Sequence, residues 1–596
     1  LADDHKGFTQ VERDARAVNP EPAGFYSTVS EHASRMHRYP EAVKLSQKAI
    51  DLNPEHWPAY VGLGIGLSRL GKDEAARQNL EKAFEGDPYN VRTYNMLRFF
   101  YDGPIKEFEW VDAGPARFRL HRAERLVLSR VMPPLIQEAW DHLVAKYEVT
   151  PPSPVHIEVF PDPETFAVRS IGLPDLGAHG ICFGQVITSR SPKTGDFNWA
   201  EVLWHELSHV FHIHLSKRRV PRWFTEGLAV YEATEGRPEW RREMDATLLD
   251  YREAGKLRGI ADFNLAFTRA RSMADILVAY YHASRVAEFI ATTHGWKATR
   301  RMLETWGEGK KTPAVFKEAL GQESLAAFDA RFDTWLDGKL AHLTKSLRLP
   351  VARLAPRAPA LGKVADKTPG DLNAQVQAAI AWFGQGDTEK ALNYADRAMK
   401  LQPDDPRARL VRALVLQQGG ELDGAEKGLQ WLLKHGHDGV EVRRALAELS
   451  RNQGKGAVAV EHLERAIAID PQEGELYHMV VALLDGLKES GRAYMWRRRA
   501  LAIDQASASL IGALLEGARQ NKATRDEVRH WSEMARHVAP FSDTLQLAAA
   551  RALQAAGLED DAREQAHLVL LLDPESAHAK SLLGPLKGPP GDPSSP

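Results

Sequence analysis

Glu41-Ala42-Val43-Lys44-Leu45-Ser46-Gln47-Lys48-Ala49-Ile50-Asp51-Leu52-Asn53-Pro54 returns as Ala75-Ala76-Arg77-Gln78-Asn79-Leu80-Glu81-Lys82-Ala83-Phe84-Glu85-Gly86-Asp87-Pro88, a shift of 34 residues (88 − 54). Both copies carry alanine at matching places, Ala42 with Ala76 and Ala49 with Ala83, and both close on proline. Small residues let two helices touch, and proline ends the second of them. A period of 34 predicts helical hairpins that cannot bury their apolar faces alone and therefore stack on one another. The fold class is mainly α.

Tyr60, Leu63, Gly64, Leu67, Ala76, Leu80, Ala83 and Pro88 follow the tetratricopeptide pattern, and this segment resembles that repeat family. The same period returns in Ala391, Ala425 and Ala459, each 34 apart, and in Pro403 and Pro471, two periods apart. The register slips by one residue between Ala500 and Ala535 and resumes from Pro540 to Pro574. Counted from Leu372, six degenerate repeats run to about Ser576. The resemblance implies an α-solenoid whose groove receives a peptide or protein partner; bracing or dimerisation is the even alternative.

With 596 residues the chain exceeds one hydrophobic core, so several domains are expected. Its 43% apolar and 26% charged residues are those of folded proteins. A formal net charge of −3, from 77 basic and 80 acidic residues, offers no field for polyphosphate, which excludes nucleic acid as the expected partner. No stretch approaches the roughly 20 apolar residues of a transmembrane helix. Cys182 is the single cysteine, which excludes an internal disulfide and a thiolate cluster, so any metal must be held by nitrogen and oxygen. Leu1 in place of Met suggests removal of an N-terminal segment and an extracytoplasmic (periplasmic or secreted) location, with the cytoplasm as the alternative.

The segment plan is an N-terminal helical region at 1–105 with two repeats at about 23–90, a central domain at 106–345, a Pro/Gly/Ala-rich linker at 346–370, the repeat array at 371–585 and a disordered tail at 586–596. In the centre, Pro154-Val155-His156-Ile157-Glu158-Val159-Phe160 and the run 180–189 predict two strands. Asn198, with Glu201 three residues on, starts a helix of about 17 residues whose stripe is Ala200, Leu203, Leu207, Val210 and Phe211. That helix carries His205-Glu206-Leu207-Ser208-His209. Histidines four apart are about 40° from eclipsed, so both imidazoles can reach one tetrahedral ion, and Glu206 can stand beside a metal-bound water. An exposed, charged helix face would show the same five residues.

Val220-Pro221-Arg222-Trp223-Phe224-Thr225-Glu226-Gly227-Leu228-Ala229-Val230-Tyr231 predicts a second helix, with Pro221 near its first position and Gly236 past its end. Gly227 costs a helix interior roughly 1 kcal/mol relative to alanine, which points to close helix approach. Together the two helices resemble the gluzincin (peptidase MA-like) metallopeptidases over about residues 116–343. The resemblance implies a zincin-like α+β metallopeptidase domain between two tetratricopeptide blocks. It implies that His205, His209 and Glu226 bind Zn2+, that Glu206 is the general base and acid, and that 180–189 is placed like the edge strand along which such enzymes align substrate. The implied function is zinc-dependent peptide hydrolysis.

In related enzymes a downstream tyrosine steadies the oxyanion, and Ala279-Tyr280-Tyr281-His282-Ala283-Ser284 lies similarly, favouring Tyr281; plain packing of both tyrosines is as fitting. His212 reads as support for the ligands or as packing, and Cys182 as a small buried apolar residue. Two rivals stand beside the peptidase: an interaction scaffold with a catalytically silent metallopeptidase-like domain, and a zinc hydrolase of something other than peptide.

Overall fold

The computed structural model describes residues 5–195 and 197–583, so the predicted tail at 586–596 lies outside the described residues. Helices dominate, and the chain divides into two compact units. The first comprises Leu1–Trp240, Ala283–Ser324 and Gln505–Pro596; the second comprises Arg241–His282 and Leu325–Asp504. The chain thus divides at places other than the bounds of the segment plan.

In the first unit the two N-terminal repeats are helical hairpins, Ala23–Arg35 with Tyr39–Leu52 and Trp57–Arg69 with Asp73–Gly86. Ala42, Ala49, Ala59, Ala76 and Ala83 are fully buried where the helices meet. At Gly64 a Cβ would stand 2.6 Å from Leu80 Cγ, which explains the small residue there. Each hairpin turns through a left-handed residue at the same repeat position, His37 and Gly71.

The repeats are tied to a five-stranded mixed sheet, whose strands are β1 (Phe108–Ala113), β2 (Ala116–His121), β3 (Val155–Phe160), β4 (Gly180–Cys182) and β5 (Val186–Arg190). The order is β1-β2-β3-β5-β4, with β2, β3 and β5 parallel and both outer strands antiparallel. Arg169, fully buried, bonds both oxygens of Glu158 on β3 and also Ser68 of the second repeat. The predicted 154–160 strand is present as β3. The run 180–189 is not one strand but a hairpin, because Gly184 (φ 108) reverses the chain between β4 and β5. The pair β1 and β2, hinged on Gly114, was not foreseen.

In the second unit, the stretch at 346–370 is not a linker. Val351–Leu354 and Ala358–Lys367 are helical, with Leu354, Ala358, Leu361 and Ala365 buried against Leu372–Gly384. Those four follow i, i+4, i+7, i+11, and Pro359 sits in the first turn, where a missing N–H costs nothing. Four repeats follow, from Leu372–Gly384 to Ser490–Leu501.

The fifth and sixth repeats, Ala508–Gly517 with Arg525–Val538 and Asp543–Ala555 with Glu559–Leu572, belong to the first unit. Left-handed turn residues recur every 34 at Gly386, Gly420, Gly454, Lys488 and Lys522, and then after 35 at Gly557. The second helix of a repeat begins two residues past this marker except after Lys522, where it begins at Arg525. The register slip is thus one extra turn residue, absorbed by a capping box of Thr524 and Glu527.

Candidate metal centre

The helix Trp199–Leu215 starts as its sequence predicts, with the Asn198 side chain accepting the N–H of Glu201 at 3.1 Å. Ala200, Leu203, Leu207, Val210 and Phe211 are buried and fix its rotation, which turns His205 and His209 toward the following helix, Arg222–Gly236. Pro221 is the cap of that second helix, and Gly236 is its last residue rather than lying past the end. A Cβ on Gly236 would stand 2.4 Å from Trp204 Cζ2, so this glycine lets the two helices approach. Gly227 serves another contact: its Cβ would lie 2.3 Å from the carbonyl oxygen of Ala283, on the helix Met273–His294.

Across the two helices His205 Nε2, His209 Nε2 and Glu226 Oε2 converge. The nitrogens are 3.1 Å apart, and the oxygen is 3.5 Å from the first and 3.3 Å from the second. Ligand atoms at about 2.0–2.1 Å from a tetrahedral zinc must stand about 3.3–3.4 Å apart. The three distances bracket that value, and two imidazoles with one carboxylate are a donor set zinc accepts, so the residues fit the ion. Burial opposes charge on Glu226, yet bonds from His205 and His209 hold its carboxyl well below the usual range. Arg222 Nε braces its other oxygen at 3.3 Å.

Glu206 points beside this triad. It is 7% exposed, and burial pushes its carboxyl up. It accepts a hydrogen bond from the backbone N–H of Cys182 on β4, and a Cβ on Gly180 would lie 2.8 Å from its Cγ. The bonds Phe183 N to Val186 O and Arg190 N to His179 O set the phase of the β4–β5 ladder. Ile181 therefore faces β5, while Gly180 and Cys182 turn their backbone groups outward, toward Glu206. Cys182 itself is buried, its thiol pushed up by burial, and its sulfur accepts the N–H of Gly184 at 3.3 Å.

Of the support behind the triad, sequence reasoning named His212 and missed Thr225, Tyr147 and Glu232. Thr225 Oγ1 lies 2.8 Å from Nδ1 of His209 and 3.0 Å from Nδ1 of His212. His212, fully buried and held neutral by that burial, meets the Tyr147 hydroxyl at 2.7 Å through Nε2. Tyr147 donates to Glu232 at 3.1 Å, and Lys146 donates to the other Glu232 oxygen at 2.9 Å. Thr225 could have been singled out as the neighbour of Glu226. Tyr147 and Glu232 carry no local signal, lying 65 and 20 residues from His212 (212 − 147, 232 − 212).

Tyr281 does not have its proton at liberty for an oxyanion. Its hydroxyl donates to Asp245 Oδ1 at 2.6 Å, within the second unit, and Tyr280 stands edge-on to Phe267. The physical reason is that a buried tyrosine must satisfy its O–H, and a carboxylate beside it is the strongest acceptor. His214 lines a separate cavity of about 390 Å³ with Arg38, Lys217, Arg218 and Arg219. Among the described residues no helix is long and apolar enough to cross a membrane.

Residues 382–449 match the family model of the tetratricopeptide repeat. No curated protein matches the chain. Among solved structures the chain is similar to YrrB, a TPR protein with an unusual peptide-binding site, at 13% identity, covering 38% of this chain and 97% of that one with a TM-score of 0.23. It is similar to a thermophilic TPR protein of Thermus thermophilus at 21% identity over 31% and 100% of the two chains with a TM-score of 0.21. For yeast Tom70 the figures are 13% identity, 90% and 96% coverage and a TM-score of 0.25.

Proposed function

We propose that this chain is a zinc-dependent peptidase of gluzincin type, its zincin-like domain carrying the metal helices and the sheet of the first unit. The observation that carries the reading is the convergence of His205, His209 and Glu226 at tetrahedral spacing, with Glu206 beside them under an edge strand. Zinc, when bound, supplies Lewis acidity that polarises a carbonyl and acidifies water. His205 and His209 would hold the ion through Nε2 and Glu226 through Oε2. Glu206 takes the proton of the attacking water on its carboxylate and delivers it to the nitrogen of the leaving amine. The bond from the Cys182 N–H orients that carboxylate. The outward backbone groups of β4 other than the Cys182 N–H pair with the backbone of a peptide laid along the strand, which favours peptide over other substrates.

Zinc content and hydrolysis of a mixed peptide library test this directly. One zinc per chain and cleavage, both lost in the double variant His205→Ala/His209→Ala, are expected. Protein purified without chelators that carries no zinc, or full zinc retention in the double variant, refutes the assignment.

A second reading, an interaction scaffold whose metallopeptidase-like domain is silent, is favoured by the tetratricopeptide match at 382–449. It predicts a zinc-loaded protein that cleaves nothing in the library yet retains a protein partner on an affinity column.

A further inference from the structure

From the hydrogen-bond geometry behind the triad we infer that Thr225, His212, Tyr147 and Glu232 form a one-way donor chain that locks His209 in the tautomer presenting the Nε2 lone pair to the metal. The inference rests on the zinc reading above and names residues that reading does not use.

The direction of the chain follows from counting protons. A carboxylate only accepts, and Glu232, fully buried, already receives Lys146 on one oxygen. Tyr147 has one proton and spends it on the other oxygen of Glu232, at 3.1 Å. Its oxygen must then accept at 2.7 Å from His212 Nε2, which fixes that ring as the Nε2–H tautomer. His212 Nδ1 is left as an acceptor, and the group it faces at 3.0 Å is the Thr225 hydroxyl. Thr225 has a single proton, committed to His212, so at 2.8 Å it accepts from His209 Nδ1. With Nδ1 of His209 donating to Thr225, Nε2 is the only ring nitrogen left to hold a metal; it stands 3.1 Å from His205 Nε2 and 3.3 Å from Glu226 Oε2, and the proton it lends Glu226 is the one an ion would displace.

Each link uses one donor and one acceptor and none is left over. Reversing the chain as a whole would turn the Tyr147 lone pair toward the buried Glu232 oxygen and leave that oxygen without its donor. These four are positioning residues: they do not touch substrate, and they act on the metal through His209. Partners of this kind are typically worth 10–100-fold in metal affinity.

Zinc alone is the probe, read by competition with a chromogenic chelator. The parent and Thr225→Ser should bind with equal affinity, while Thr225→Val and Tyr147→Phe should bind about 10–100-fold more weakly. In metal-free protein labelled with 15N-histidine, His212 should appear as the Nε2–H tautomer and become a mixture in Tyr147→Phe. If Thr225→Val does not fold, Tyr147→Phe, two links from the ligand, carries the affinity test. Parent-like zinc affinity in the folded variants, or a parent His212 in the Nδ1–H form, overturns the chain. A parent that holds no zinc refutes the peptidase reading instead, and the metal-free spectrum then decides the chain by itself.

Discussion

The indole Nε1 of Trp199 donates at 2.9 Å to the carbonyl oxygen of Arg536, across 337 residues of sequence and within one compact unit. Trp199 is the first residue of the two-histidine helix. Arg536 lies in the last turn of Arg525–Val538, where carbonyls have no partner inside the helix. The fifth repeat therefore braces the two-histidine helix, so bracing accounts for at least this part of the array.

Trp199→Phe keeps the aromatic packing but leaves that carbonyl without its donor. The expected loss is about 1–3 kcal/mol, the cost of an unsatisfied buried polar group, read as a lower urea midpoint. Truncation after Asp504 removes the brace altogether and should destabilise the first unit, visible as earlier loss of zinc on heating. Unchanged stability in both would show that the contact carries no weight.

Glu206→Gln keeps size and hydrogen-bonding capacity and removes only the base. It should fold and bind zinc like the parent while hydrolysis falls 10²–10⁴-fold, about 3–5 kcal/mol of barrier. Equal zinc content with parent-rate cleavage would show that another group takes the proton.

Gly227→Ala places a methyl 2.3 Å from the Ala283 oxygen, against backbone that cannot rotate away. Overpacking of this kind costs about 1–3 kcal/mol. Thermal unfolding should show the drop, and because Glu226 precedes this residue, zinc should dissociate faster as the helix shifts. Gly236→Ala, 2.4 Å from Trp204, is the parallel case between the helices Trp199–Leu215 and Arg222–Gly236.

His537 is packed edge-on to Trp199 and Trp240, and burial pushes it down to about 3. The unfolded chain takes up this proton near the ordinary value of 6.5, so between about 6.5 and 3 the unfolded state binds more protons and stability falls with pH. At pH 5 the loss from this one residue is about 2 kcal/mol relative to pH 7. His537→Phe should flatten that part of the profile in urea titrations at the two pH values. A slope that survives the substitution would place the sensitivity elsewhere.

Much of the molecule is legible in its own residues because the signals are short-range. A 34-residue spacing of alanines and prolines encodes hairpins whose contacts are mostly with the next hairpin. The pattern from Asn198 to Phe211 encodes the cap, stripe and histidine face of one helix, and Glu226 lies 17 residues beyond His209 (226 − 209), within reach of a simple helix return. The resemblance carried by those two helices singles out His205, His209 and Glu226, and the structure brings one side-chain atom of each within 4.8 Å of the others.

Tertiary packing alone decided the rest. It set the hairpin nature of 180–189, the helical packing of 346–370, the commitment of Tyr281 to Asp245 and the division of the six repeats between two units. It also chose Ala283 as the partner that explains Gly227, and Tyr147 with Glu232 as the groups behind His212. Periodicity states which face of an element is apolar and not which distant element covers it, and a buried donor leaves no trace in the sequence around its acceptor.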